Sequence, residues 1–426
     1  MVIRSNAMRL SFVISVVLLI LPSPAPASEK PNVLLIVGDD WGWTDFGFMG
    51  HKTILTPHLD KLARESAVFP NGYTPTSLCR ASLATILTGH YAHQHKICCN
   101  DPPNGVDRAE MLPFLKNSPT IPRLLNDAGY RSFQSGKFWE GHFSNGGFTN
   151  GMTTKGRHGD EGLVIGRQGL KPIYDFIESG KEPWFIWYAP MMPHLPHTPP
   201  ERLLKKYLQQ SRDPRVAAYW AMCEWTDETI GELQKYLVDK KLTDNTIVMF
   251  VVDNGWVQSE GPVRKGDQFL TRSKNSPYDA GVRTPIILKH PGKTKPGRHN
   301  DPVSTIDIAP TILGQCGVST PKTMSGVNLH SLAIGEWKVK RTEVFGEIYL
   351  HTSKTLENPA ANLTHRWVRS GDWKLIVSLS VKDATPELFN LKDDASEKKN
   401  LAADNPELVK RLTERMTEAW NPDWKK

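Results

Sequence analysis

Two apolar runs, each ending in a pair of oxygen-bearing side chains, constrain this chain most. Asn32-Val33-Leu34-Leu35-Ile36-Val37 leads into Gly38-Asp39-Asp40, and Thr246–Val252 leads into Asp253-Asn254-Gly255. Neither run alternates with polar residues. Such segments read as strands buried on both faces, as in a parallel sheet covered by helices on each side. Trp184–Tyr188 and Pro285–Leu288 are further runs of this kind. Helical patterns fill the intervals at His58–Ser66, Ser82–Leu87, Thr120–Ala128, Pro172–Glu178, about Arg215 to Leu237, and Ile306–Cys316. The alternation predicts an α/β fold with a mostly parallel central sheet flanked by helices. After about Ala333 the texture changes. Val344–Ile348, Arg366–Arg369 and Lys374–Leu379 read as antiparallel strands, the last two joined at Gly371-Asp372. Glu387–Asn390 adds a strand and Pro406–Trp420 a closing helix, together a small C-terminal α+β subdomain.

Residues 1–27 read as a secretory signal peptide. Arg4 and Arg9 precede an apolar stretch from Leu10 to Leu21, and Ala25-Pro26-Ala27 is a small-residue cleavage site. The stretch is too short to span a bilayer, which takes about 20 residues. The expectation is a secreted or periplasmic protein with no membrane segment after cleavage. The rest divides into a larger α/β domain at 28–335 and a C-terminal subdomain at 336–426. A net charge of +7 raises the question of nucleic acid. No long basic run supports it, so nucleic acid is excluded as a partner. Five cysteines are too few for a disulfide scaffold. Export permits pairing among Cys98, Cys99, Cys223 and Cys316, in any of three ways.

Asp39, Asp40, Asp253 and Asn254 are hard oxygen donors, suited to Ca²⁺ or Mg²⁺ and poor for zinc. A single strand-end Asp pair is usually a turn or helix cap. Two such pairs at the carboxyl ends of two buried strands lie where α/β sheets bind ligands. Cys79 directly precedes a helical pattern, so it stands at a helix N-terminus, a position that favours an anion.

These residues resemble the formylglycine-dependent sulfatases, type I sulfatases of the alkaline phosphatase superfamily. Asp39-Asp40 with Trp41-Gly42, and Thr56 to Ala63, match the family's opening metal motif. Cys79, Ala81, Ser82, Thr88 and Gly89 match its C-x-[PA]-S-R signature and the Thr-Gly that follows. Gly129-Tyr130, Gly136-Lys137, Pro193-His194-Leu195-Pro196, Asp253-Asn254-Gly255, Lys274 with Tyr278–Pro285, and Ser304–Thr311 follow in family order. The resemblance implies a sulfuric ester hydrolase. Cys79 would be oxidised by a formylglycine-generating maturation enzyme, and the hydrated aldehyde would take sulfate and then expel it. It implies that Asp39, Asp40, Asp253, Asn254 and the modified Cys79 hold one Ca²⁺, with Mg²⁺ the alternative. Lys137, Lys274 and His194 would clamp sulfate and protonate the leaving oxygen. Export and 13 Trp residues suit a sulfated carbohydrate better than a small aryl sulfate.

Two positions depart from the family. The Arg expected four residues after the cysteine is Leu83, and Arg80, one helical turn earlier, is the expected substitute. The His expected two residues after Lys137 is Trp139. Either His142 takes over as donor or Trp139 lines the substrate pocket. Two other classes keep the same ligands: a formylglycine phosphodiester or phosphonate hydrolase, and a non-catalytic protein that binds sulfated glycans.

Overall fold

The computed structural model describes residues 1–2, 30–155, 158, 160–261, 268–336, 341–381 and 383–422. The signal-peptide reading falls on residues outside this set, apart from the first two. Six strands build the central sheet: β1 Asn32–Gly38, β2 Ala67–Phe69, β3 Arg131–Gly136, β4 Trp184–Ala189, β5 Thr246–Val252 and β6 Ile286–Lys289. Their order across the sheet is β3-β4-β1-β5-β6-β2, with two-residue strands Asn150–Gly151 and Gly297–Arg298 at the edges. β3, β4, β1 and β5 run parallel. β6 pairs antiparallel with both β5 and β2, so the run at Pro285–Leu288 departs from the parallel direction. A short hydrophobic run carries no direction, and only the path of the preceding chain decides it.

β1 explains the unbroken apolar pattern. Val33, Leu35 and Val37 enter one core, with Ile247 and Met249 of β5 and Phe185 of β4. Leu34 and Ile36 enter the other, with Val248, Phe250 and Ile186. Both faces are covered, so both sets are apolar. Burying each such side chain contributes roughly 1.5–3 kcal/mol. The main helices are α1 Pro57–Arg64, α2 Cys79–Thr88, α3 Lys171–Glu178, α4 Pro214–Asp239, α5 Ile308–Gln315 and α6 Pro406–Ala419. Asp227 of α4 accepts the backbone N–H groups of His58 at 3.0 Å and Leu59 at 2.7 Å, capping the open end of α1.

The C-terminal region forms a separate antiparallel sheet of β7 Glu343–Tyr349, β8 Leu363–Ser370, β9 Trp373–Ser378 and β10 Glu387–Asn390. Helix α6 packs on β8 and β9 through Leu412 and Met416. A buried charge cluster joins this sheet to the larger one. Lys374 of β9 lies 2.8 Å from Asp279 and 2.9 Å from Glu397. Among the described residues no helix is long and apolar enough to cross a membrane.

Candidate active site

Register brings the two acidic pairs together. Gly38, the last residue of β1, pairs with Val252, the last of β5, so Asp39 and Asp253 leave the sheet side by side. Asp40 then adopts φ 56°, a left-handed conformation that Asp tolerates better than most residues. This breaks the strand's alternation, so consecutive carboxylates turn to one site instead of opposite faces. Gly136 ends β3 at φ 89°, and a Cβ there would sit 2.1 Å from the Ala189 carbonyl oxygen. Only glycine lets the chain turn so tightly and send Lys137 inward.

Cys79 is the first residue of α2, whose residues are all buried. Asn100 accepts the Arg80 backbone N–H at 3.0 Å, and Ser82 Oγ donates to the Asp253 carbonyl at 2.5 Å. The helix start is thereby tied to the end of β5. One ligand atom from each of Asp39, Asp40, Cys79 and His194 lies within 4.8 Å of the others. Lys137 Nζ lies 2.6 Å from Asp39 and 3.5 Å from Asp253. Lys274 Nζ donates to both Asp40 oxygens at 2.6 Å. His194 Nδ1 donates to its neighbour's carbonyl at 2.6 Å, which leaves Nε2 facing Asp40 at 3.4 Å.

With all three carboxylates ionised, the two ammonium groups would leave one negative charge in excess. Burial raises the Asp253 carboxyl well above its usual range, and Asp39 beside it adds to the rise. Burial also opposes ionisation of Asp39, but Lys137 outweighs it and holds that carboxyl well below the usual range. The split follows the distances, because Lys137 sits closer to Asp39. Burial pushes the Cys79 thiol up to about 11, so the unmodified residue is a neutral, weak nucleophile at pH 7. Burial lowers the His194 imidazole and favours its neutral form. Asn254 Oδ1 is a buried acceptor without a hydrogen-bond donor among the described residues, and Asp253 Oδ2 makes no hydrogen bond there, with only the Lys137 ammonium 3.5 Å away. Unsatisfied buried acceptors are costly. Two of them, amid excess negative charge and all-oxygen side chains, fit a hard divalent cation.

Not every expected residue joins this group. The Arg80 guanidinium is held by Glu140 at 2.6 and 2.7 Å and by the Met111 carbonyl at 3.1 Å. Its charge is thus spent on Glu140, in the loop after Lys137, and does not replace the missing charge at Leu83. His142 is exposed, and its Nδ1 accepts the Ser144 N–H in a surface turn, so it takes no donor role. Trp139 is only 2% exposed and offers no open face as a platform. It packs edge-on against His158, ring centroids 4.3 Å apart. His158 in turn lies 6.4 Å from the His194 ring. The sequence reading missed His158, because it stands 21 residues from Lys137 and outside every motif. The cysteines are free, with the Cys98 and Cys99 sulfurs 3.9 Å apart, so no disulfide forms.

Residues 31–318 match the sulfatase family. The chain belongs to that family. Residues 272–421 also match the C-terminal region of N-sulphoglucosamine sulphohydrolase. Human (Homo sapiens) N-acetylgalactosamine-6-sulfatase is 28% identical over 350 residues, which cover 71% of this chain and 66% of that protein. The chain thus spans about two thirds of the length of such curated relatives. A solved structure of BT4656 in complex with its substrate D-glucosamine-2-N,6-O-disulfate has the same fold. Its TM-score is 0.74 at 20% identity, covering 93% of this sulfatase and 100% of that chain. The phosphonate monoester hydrolase of Agrobacterium radiobacter also shares the fold, with a TM-score of 0.72 at 17% identity over 91% of this chain and 95% of that one.

Proposed function

We propose that this sulfatase is an exported enzyme that hydrolyses sulfate esters of carbohydrates, using formylglycine made from Cys79 and one Ca²⁺ or Mg²⁺. The observation that carries the reading is the under-coordinated acceptor pair, Asp253 Oδ2 and Asn254 Oδ1, beside the carboxylates that gather around the buried Cys79 at a helix start. Asp39, Asp40, Asp253, Asn254 and residue 79 would hold the cation. Bound there, the cation supplies Lewis-acid polarisation of a sulfate oxygen. The oxidised residue 79 supplies a carbon with two hydroxyls, which a thiol lacks.

The chain's own residues do the remaining work. Lys137 and Lys274 are held by Asp39 and Asp40, so their N–H donors are already oriented when a sulfate arrives. His194 is the proton carrier for the leaving oxygen. Its Nδ1–H is committed to the Leu195 carbonyl, so Nε2 of the neutral ring first takes up a proton, and the imidazolium so formed then passes it to the leaving oxygen. His158 packs edge-on against Trp139, and its ring lies 6.4 Å from that of His194. A carbohydrate substrate is supported by the relatives, whose names specify sulfated amino sugars. We assign export to residues 1–27, catalysis to 28–335 and a supporting subdomain to 336–426.

The test is sulfate release from a panel of sulfated glycans by protein made in its native host, with and without chelator. Mass spectrometry of the Cys79 peptide reads maturation. A wholly unmodified thiol in active enzyme would sink the formylglycine route. The phosphonate hydrolase that shares this fold supports a second reading. Faster turnover of phenyl phosphonate esters than of any sulfate ester would favour it.

A further inference from the structure

A cavity of about 250 Å³ lies beside the cation cluster, walled by Trp43, Trp256, Leu270, Arg272, Tyr278 and Glu397. The same chain turns build both sites. Trp43 follows Asp40 by three residues and Trp256 follows Asn254 by two. Lys274 Nζ lies 5.7 Å from the centre of the Trp256 ring, so the anion-clamping lysine and the cavity share a wall. Lys274 and His194 are also the most exposed polar members of the site, at 10% and 17% of their side chains. Lys274 connects the Asp40 carboxylate to the Trp256 wall of the cavity.

Its walls are rigid before any ligand arrives. The Arg283 guanidinium covers the Trp43 ring at 3.8 Å. Arg283 is itself fixed by the Pro70 carbonyl at 3.1 Å and by Asn71 at 2.7 Å. Arg272 lies on the Tyr278 ring at 3.7 Å, donates to the Glu397 carbonyl at 2.6 Å and has Glu387 at 3.8 Å as a loose, half-exposed ion-pair partner, yet its side chain remains 43% exposed. Locked aromatic and guanidinium groups bind without an ordering cost. Their chemistry selects a ring with an apolar face for tryptophan and an anionic substituent for arginine. The volume is just below the roughly 300–1,000 Å³ of pockets that enclose drug-sized ligands, which suits one ring.

We propose that this cavity is a second subsite, holding the neighbouring anionic sugar ring of a sulfated oligosaccharide whose sulfate lies at the cation cluster. The proposal rests on the carbohydrate reading above. Calorimetry on the full mature protein tests it, with sulfated monosaccharides and the matching tetrasaccharides from chondroitin 6-sulfate and heparan sulfate. Wild type should bind the preferred tetrasaccharide about tenfold or more tighter than its monosaccharide. Trp43→Ala and Arg272→Ala should abolish that gain while leaving monosaccharide affinity and aryl sulfate turnover unchanged. Trp43→Phe and Arg272→Lys guard against misfolding and should lose only part of it. Affinity independent of chain length, no binding of either glycan, or equal losses for both lengths would overturn the subsite. Tetrasaccharide binding that needs Trp43 and Arg272, without sulfate release from any substrate, would instead sink the hydrolase reading and leave the subsite standing.

Discussion

Two buried charge clusters hold this molecule together, and they are built on different principles. At the junction with the C-terminal sheet, Lys374 neutralises Asp279 and Glu397 while Tyr73 donates to Asp279 at 3.0 Å. Arg283 approaches the same carboxylate at 3.5 Å, and Arg369 donates to Tyr73. Positive charge is ample there. At the carboxyl edge of the large sheet, Asp39, Asp40 and Asp253 face only Lys137 and Lys274, and two acceptor oxygens make no hydrogen bond. The first cluster is nearly finished by the chain itself: Glu397 Oε1 lacks a well-aligned hydrogen bond but has the Lys374 ammonium 2.9 Å away. The second is unfinished, and what it lacks is positive charge bound to oxygen. A buried ion pair alone would not tell the two apart; the accounting of partners does.

The largest break in this contrast is Cys79→Ala. It should abolish sulfate release, with a loss on the order of 10⁶ as for other nucleophiles that act as a unit with their partners. Thermal unfolding should change little, which checks that the fold survives. Lys137→Ala comes next. Removing one preorganised donor costs about 10²–10³ in turnover, readable in steady-state kinetics. At the other cluster the effect should move from activity to stability. Lys374→Met leaves two buried carboxylates without their ammonium partner and should cost about 3–5 kcal/mol in denaturant titration. The folded fraction should retain wild-type cation affinity.

The smallest effect has opposite signs in the two clusters. Burial pushes the Asp279 carboxyl up, but Lys374 and Arg283 outweigh it and lower it overall. Its contribution is present above the ordinary carboxylate pKa of about 3.9 and is lost as pH falls below it. Asp253 is raised, so the folded state holds its proton more tightly than the unfolded chain does. Its contribution is present below about pH 3.9 and is lost as pH rises. Millimolar Ca²⁺ should remove that loss. Burial also raises the Asp45 carboxyl to about 6 and that of Asp227 to about 7, so some fall with pH is expected in either condition. Melting curves from pH 4 to 8 should fall more steeply in chelator than in Ca²⁺, and equal slopes would mean that the cluster holds no cation.

Much of this organisation is legible in local residue patterns. Val33 to Val37 and Ile247 to Val252 are apolar at every position because helices cover both faces of their sheet. That requirement leaves a mark on each residue. The direction of Ile286–Lys289 leaves none, since a four-residue apolar strand has the same composition either way. Arg80 illustrates a second limit. Helical spacing placed it one turn from Leu83, but spacing says nothing about Glu140, 60 residues away, which takes its charge.

The chain order of Asp39-Asp40, Cys79, Lys137, His194, Asp253-Asn254 and Lys274 is therefore enough to name the family and its chemistry. Each residue type carries its own reactivity, and their succession along the chain is itself the signal. Which groups face one another was decided only by folding. Sheet register set Asp39 beside Asp253. Packing sent His142 to the surface and brought His158 toward His194. It also closed a cavity between Trp43 and Arg272, which lie more than two hundred residues apart. Contacts of that range depend on the path of the backbone, and no local pattern records it.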